Sequence, residues 1–231
     1  QLGQQRRQLA DEQRGVGVEV VVAVALGCTI ENDVEQLDAL ERERFGQHER
    51  HPPGPGQRQL GRQLALTDVL AQFGLLGSLL AESVYGIKNP KVALLNIGEE
   101  DKKGNVVTQA AFALMKESAQ YNFIGNVEGR DIFNDKADVI VCDGFTGNIV
   151  LKAVEAFHDL LKVRGVHEPF FDRFDYENYG GLPVLGVNGN VMIGHGISNE
   201  ETIKNLLLMS RNVVNAKLNE RIREAFQFQP S

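Results

Sequence analysis

The chain has no tryptophan, three methionines and two cysteines in 231 residues. Cys28 and Cys142 stand far apart, which excludes a disulfide framework and a zinc-binding spacing. A chain this long buries enough surface to fold without either. No stretch reads as the roughly 20 apolar residues of a spanning helix. The most apolar stretch, Val18 to Gly27, is far shorter and lacks the basic n-region of a signal peptide, since Asp11 and Glu12 accompany the arginines before it. Basic residues are outnumbered, 24 against 31, for a net charge of -7, and no basic stripe offsets the deficit. That balance argues against a general nucleic-acid binder. The dinucleotide fingerprint G-x-G-x-x-G, the phosphate loop G-x-x-x-x-G-K-[ST] and the nucleophile elbow G-x-S-x-G are all missing. Nicotinamide dehydrogenases and nucleotide hydrolases of the usual kinds, and serine-nucleophile chemistry, are therefore disfavoured. The expectation is a soluble, intracellular, cytoplasmic protein.

Lysine is also missing from residues 1–63, which hold eight arginines, ten glutamines and one asparagine. Residues 64–231 hold ten lysines, six arginines and fifteen asparagines. Folding gives no reason for so sharp a switch in one soluble chain. Residues 1–63 are expected to be an atypical leader, either a disordered natural appendage or a stretch that is not the native N-terminus. Only 15–25, rich in valine and alanine, has strand character there. The organisation expected is thus the leader followed by an α/β domain over 64–231.

That second part alternates apolar runs with amphipathic ones. A helix or a pair of short helices is expected over Leu64–Tyr85, with Gly74 and Gly77 as weak points. Lys91–Ile97 and Asp138–Cys142 are short, nearly continuous apolar runs, the pattern of strands buried on both faces. Tyr121–Ile124 is a further strand candidate, and Asp131–Phe133 a short helical turn. Helices are expected over Asn105–Gln120, Asn148–Val163, Glu200–Ala216 and Leu218–Phe226, with short strands over Pro183–Val187 and Asn190–Ile193. Alternating strands and helices imply crossovers around a mainly parallel sheet, with ligands beyond the carboxyl ends of its strands.

Those strand ends carry most of the unusual polar residues. Three loops share a design of glycine, asparagine and carboxylate: Asn96 to Asn105, Gly125 to Arg130, and Asp143 to Asn148. Glycines permit tight turns and close approach to a ligand, and N–H groups at a helix start attract anions. Of the five histidines, His195 stands out because Gly194 and Gly196 flank and expose it. His48, His51, His158 and His167 are scattered and form no metal constellation. Cys142 closes a buried strand and reads as a small hydrophobe before it reads as a nucleophile.

Longer stretches of these loops resemble one family. Ala93-Leu-Leu-Asn-Ile-Gly-Glu-Glu100 with Lys103-Gly-Asn105, Asn122-Phe-Ile-Gly-Asn-Val-Glu-Gly-Arg-Asp131 and Ala137-Asp-Val-Ile-Val-Cys-Asp-Gly-Phe-Thr-Gly-Asn-Ile-Val-Leu-Lys152 are similar to the bacterial acyl-acyl-carrier-protein:phosphate acyltransferases of phospholipid synthesis. Tyr179-Gly-Gly-Leu-Pro-Val-Leu-Gly-Val-Asn-Gly189 and Ile193-Gly-His-Gly196 continue the series, which covers roughly residues 78–216. The resemblance implies a three-layer α/β sandwich similar to the phosphotransacetylase and isopropylmalate dehydrogenase fold. It implies transfer of a fatty acyl group from an acyl-carrier-protein thioester to inorganic phosphate, a homodimer, and peripheral membrane contact. Relatives also carry an α/β portion upstream, and residues 1–77 show no glycine-rich motif that would supply it.

In that reaction a phosphate oxygen attacks a thioester carbonyl directly, so no covalent nucleophile is needed. Backbone N–H groups of Gly144 to Asn148 and Gly125 to Gly129 are expected to hold phosphate or the developing oxyanion. Asn96, Gly98, Gly125, Asn126, Gly129, Arg130, Gly144, Thr146 and Gly147 form the expected substrate-binding set. His195, Asn148 and Lys103 are the candidate catalytic residues, His195 for acid–base help near neutral pH. Lys152 is a further cation near the third loop. Glu99, Glu100, Glu128 and Asp143 are expected to anchor loops, since four carboxylates around an anion would repel it; a divalent cation between them is the less favoured reading. No cofactor and no metal are expected. The competing readings are a coenzyme A-dependent phosphate acyltransferase, a metal-dependent dehydrogenase of related fold, and a catalytically inactive fragment or scaffold.

Overall fold

The computed structural model describes residues 21–24, 55–166, 168–172, 180–194, 196 and 198–227. Strand β1 (Val21–Val24) precedes helix α1 (Pro55–Ser83). Then come β2 (Lys91–Leu95), α2 (Val106–Glu117), β3 (Asn122–Val127), a 3-10 turn (Gly129–Phe133) and β4 (Val139–Cys142). Helix α3 (Gly144–Val163) and the short α4 (Pro169–Asp172) lead to strands β5 (Gly181–Val184) and β6 (Val191–Gly194). Helices α5 (Glu200–Asn215) and α6 (Leu218–Gln227) complete the described elements.

Four strands form a parallel sheet in the order β1-β4-β2-β3. Val139 to Cys142 are all buried, as a central strand covered on both sides requires. On one face, Val92, Leu94, Val139 and Val141 meet Leu70 and Ala81 of α1 and Ala111, Phe112 and Met115 of α2. On the other, Ala93, Val127 and Ile140 meet Ile132, Ala137 and Val150, contributed by the 3-10 turn, its exit and α3. The molecule is thus a three-layer α/β sandwich. The antiparallel pair β5–β6 lies against α5, and Leu76 and Leu80 of α1 join Val213, Leu218 and Ile222 in a third apolar cluster.

Helix α1 runs unbroken through Gly74 and Gly77, where a pair of helices was the alternative. A methyl group at Gly74 would come within 2.8 Å of the Tyr121 ring, so the small residue makes room for a side chain of the next layer. The Tyr121 hydroxyl donates to the Ala71 carbonyl at 3.2 Å, and burial pushes its pKa up to about 12. Gln63–Ser83 is also long and apolar enough to cross a membrane, contrary to the expectation that no stretch would be. Its Leu70, Leu75, Leu76, Leu80 and Ala81 are buried in the protein core instead.

Strand β3 extends three residues past the expected Ile124 by way of a bulge. Val92 pairs with Phe123, but Ala93 pairs with Gly125, leaving Ile124 as the extra residue. Gly125 absorbs the distortion at φ 104°, a region that disfavours a Cβ. The slip moves the strand's later residues to opposite faces. Phe123 packs on the α1–α2 side, whereas Val127, four residues on, packs on the α3 side.

Candidate functional site

Because β4, β2 and β3 are parallel neighbours, the loops that follow them lie side by side along one edge of the sheet. Helix α3 starts four residues before the expected Asn148. Asp143 caps it, with Oδ1 accepting from the Thr146 N–H at 2.9 Å and Oδ2 from the Thr146 hydroxyl at 2.6 Å. The glycines of Gly144-Phe-Thr-Gly147 therefore form the first helical turn, with Gly147 buried and Asn148 exposed. Lys152 is two turns into the helix, exposed, and 3.0 Å from Glu155. Cys142, immediately before this turn, is buried, and desolvation followed by the Asp143 charge pushes its thiol up to about 12. Such a thiol is inert as a nucleophile at neutral pH.

The loop after β2 is held by two amides. The Asn96 N–H donates to the Val127 carbonyl at 2.8 Å, which ties the loop's first residue to the end of β3. Its side-chain Nδ2 donates to the Lys103 carbonyl at 3.0 Å and to Asn126 Oδ1 at 3.2 Å. Asn126 is buried, and its own Nδ2 donates to the Glu100 carbonyl at 3.0 Å. The two side chains thus fold residues 96–103 back onto the strand ends. Gly104 closes the turn at φ 89°, where a Cβ would strike Thr108 Oγ1 and the Asn96 amide. Asn105 then caps α2 by accepting from the Thr108 N–H at 2.9 Å. Gly98 is buried, with Glu100 and Lys103 against the space its side chain would fill.

Charge is concentrated between this loop and the β3–β4 connection. Lys136 Nζ lies 2.7 Å from Glu99 Oε1 and 3.1 Å from Asp131 Oδ2. Arg130 Nε lies 3.1 Å from Glu128 Oε2, and its Nη2 is 3.9 Å from Glu99 Oε1. Asp131 is buried and also accepts from the Glu128 N–H at 2.9 Å and from Asn134 Nδ2 at 3.0 Å. The backbone hydrogen bond from Glu128 is the chief reason its carboxyl falls to about 2, with Asn134 and Lys136 adding to it. Hydrogen bonds to Glu99 and then Asp131 raise the Lys136 ammonium. Lys103 is exposed and 3.9 Å from Glu100 Oε1. Among the described residues, no three His, Cys, Asp or Glu side chains converge as metal ligands.

The structure therefore gathers Asn96, Gly98, Glu99, Glu100, Lys103, Gly125, Asn126, Glu128, Gly129 and Arg130 at the adjoining ends of β2 and β3. It places Asp143, Gly144, Thr146, Gly147 and Asn148 at the adjacent end of β4. His195, like Cys28 and His167, lies outside the described residues. Lys136 and Asp131 were absent from the expected site. Lys136 stands 37 residues from Glu99 with no motif linking them, and only the crossover from β3 to β4 makes them neighbours.

A family model described as fatty acid synthesis protein matches residues 64–163, which contain all three loops. The phosphate acyltransferase of Syntrophomonas wolfei is 47% identical over 156 residues, covering 65% of this chain and 49% of that protein. That of Halothermothrix orenii is 46% identical over 166 residues, covering 63% and 50%. The Wolinella succinogenes protein is 40% identical over 203 residues, covering 75% and 61%. Over this shared stretch, the chain is similar to phosphate acyltransferases. The chain spans about half the length of the curated phosphate acyltransferases it matches. Strands β2, β3 and β4, the three glycine- and asparagine-bearing loops and the α3 cap all lie within the matched residues.

Proposed function

We propose that the protein takes part in transfer of a fatty acyl group from an acyl-carrier-protein thioester to inorganic phosphate, giving an acyl phosphate for phospholipid synthesis. The similarity to phosphate acyltransferases, with the matching family model spanning all three strand-end loops, carries the reading. The geometry supports it. Phosphate brings negative charge, and the sheet edge offers the N-terminus of a 20-residue helix together with the exposed cations Lys103 and Arg130. Attack by a phosphate oxygen on the thioester carbonyl expels the carrier thiolate, which takes a proton. Lys103 and Arg130 offset charge on phosphate, N–H groups at the start of α3 steady the oxyanion, Asn148 orients the acyl carbonyl, and His195 supplies the proton. Asn96 and Asn126 then serve mainly by shaping the loop that carries Lys103, since their amides are occupied by its backbone.

The same reading carries a cytoplasmic homodimer with peripheral membrane contact. The outer face of α3 supports an apposed partner of one kind or the other: Phe145, Ile149, Leu160 and Val163 are exposed along it.

The test is release of carrier thiol from acyl-acyl-carrier protein by the full chain, with and without inorganic phosphate. Turnover that requires phosphate, and is missing with acetyl-coenzyme A as donor, is the expected result. Turnover with acetyl-coenzyme A alone would assign the coenzyme A-dependent reaction. No phosphate-dependent turnover with either donor would leave a scaffold.

A further inference from the structure

We propose that Lys136 is a positioning residue that keeps the Arg130 guanidinium available to an anion. The anion's identity as phosphate rests on the function proposed above; the role of Lys136 does not.

Glu99 is the point of competition. Its Oε1 accepts a hydrogen bond from Lys136 Nζ at 2.7 Å, while Arg130 Nη2 stands off at 3.9 Å, beyond hydrogen-bonding distance. Lys136 is itself held, because Asp131 Oδ2 accepts from the same ammonium at 3.1 Å and its backbone N–H donates to Asn134 Oδ1 at 3.0 Å. A lysine braced on two carboxylates neutralises Glu99 without moving. Arg130 is held differently. Its Nε is engaged by Glu128 at 3.1 Å, yet its side chain is 71% exposed. A guanidinium has five N–H donors, so an Nε contact leaves the outer fork to reach an anion at the strand ends.

Without Lys136, Glu99 would face Arg130 as its nearest cation. A carboxylate and a guanidinium in reach close into a bidentate pair, which would consume the fork. Lys136 therefore acts through Arg130, at one remove from substrate.

The test reads Arg130 directly. Phenylglyoxal adds to accessible guanidinium groups, and peptide mass mapping gives the labelling rate at Arg130 relative to exposed Arg164 on the full chain. We expect K136M to slow Arg130 labelling several-fold, K136R to leave it near the native rate, and the double variant E99Q/K136M to restore it. Loss of fold cannot imitate this result, since an unfolded chain would label faster. An unchanged rate in K136M, or a double variant as slow as K136M, would overturn the proposal. Inorganic phosphate is expected to protect Arg130 in the native chain. If the variants behave as expected but phosphate gives no protection, the positioning role stands and the phosphate reading of the site fails.

Discussion

Asp131 links pH to stability in a way that can be worked from its contacts. The folded carboxyl titrates at about 2 against an ordinary 3.8, chiefly because the Glu128 N–H, Asn134 and Lys136 all favour the ionised form. A shift of this size corresponds to on the order of 1–2 kcal/mol of native stability once water near the half-buried Lys136 is allowed for. With the native pKa below the unfolded one, the unfolded chain binds more protons between them. The contribution is therefore complete above the unfolded value and disappears as pH falls through the native one. D131N imitates the protonated group, because an amide turns an N–H toward at least one of the three donors that the carboxylate accepts from. Urea denaturation of native chain and D131N at pH 6 should differ by about 1–2 kcal/mol. The difference should shrink toward zero by about pH 2. A gap that stays constant across that range would refute the electrostatic argument and leave only a packing defect.

N126L removes a buried amide that both donates and accepts, taking one hydrogen-bond partner each from the Glu100 carbonyl and the Asn96 Nδ2. It should cost about 1–3 kcal/mol and lower the melting temperature by several degrees, with faster amide exchange across residues 97–104; exchange at the native rate would count against the proposed loop-shaping role. Cys142, buried with its thiol pushed up to about 12, should resist iodoacetamide at pH 8 in the folded chain and react on unfolding. Rapid native labelling would show that the strand end is open.

The sheet was legible in sequence where its strands are buried on both faces. Val139 to Cys142 and Val92 to Leu95 are continuous apolar runs, and no helix of that length competes. Helix starts were less legible where glycine carried two meanings. Gly144 and Gly147 read as loop formers, yet Asp143 followed three residues later by Thr146 is a capping signal, and it governs the observed start of α3. Gly74 was read as a weak point because helix propensity counts only the helix; the partner that demands it, Tyr121, lies 47 residues away. The composition of the strand-end loops could be seen in the chain, but not the division of labour within them. That the Asn96 and Asn126 amides turn inward, and that Lys136 reaches Glu99, depends on β2 lying between β3 and β4.

Strand β3 is, in effect, read in two frames. Before Ile124 its odd-numbered residue Phe123 belongs to one helical layer, and after Gly125 the odd-numbered Val127 belongs to the other. Deleting Ile124 alone would turn the bulge into a regular strand and leave Asn126 opposite Leu94 and Val127 opposite Leu95. Losing Gly125 as well would put Asn126 opposite Ala93, sending the amide toward the layer that holds Ile140. The strand should therefore tolerate loss of its one bulge residue better than loss of two residues.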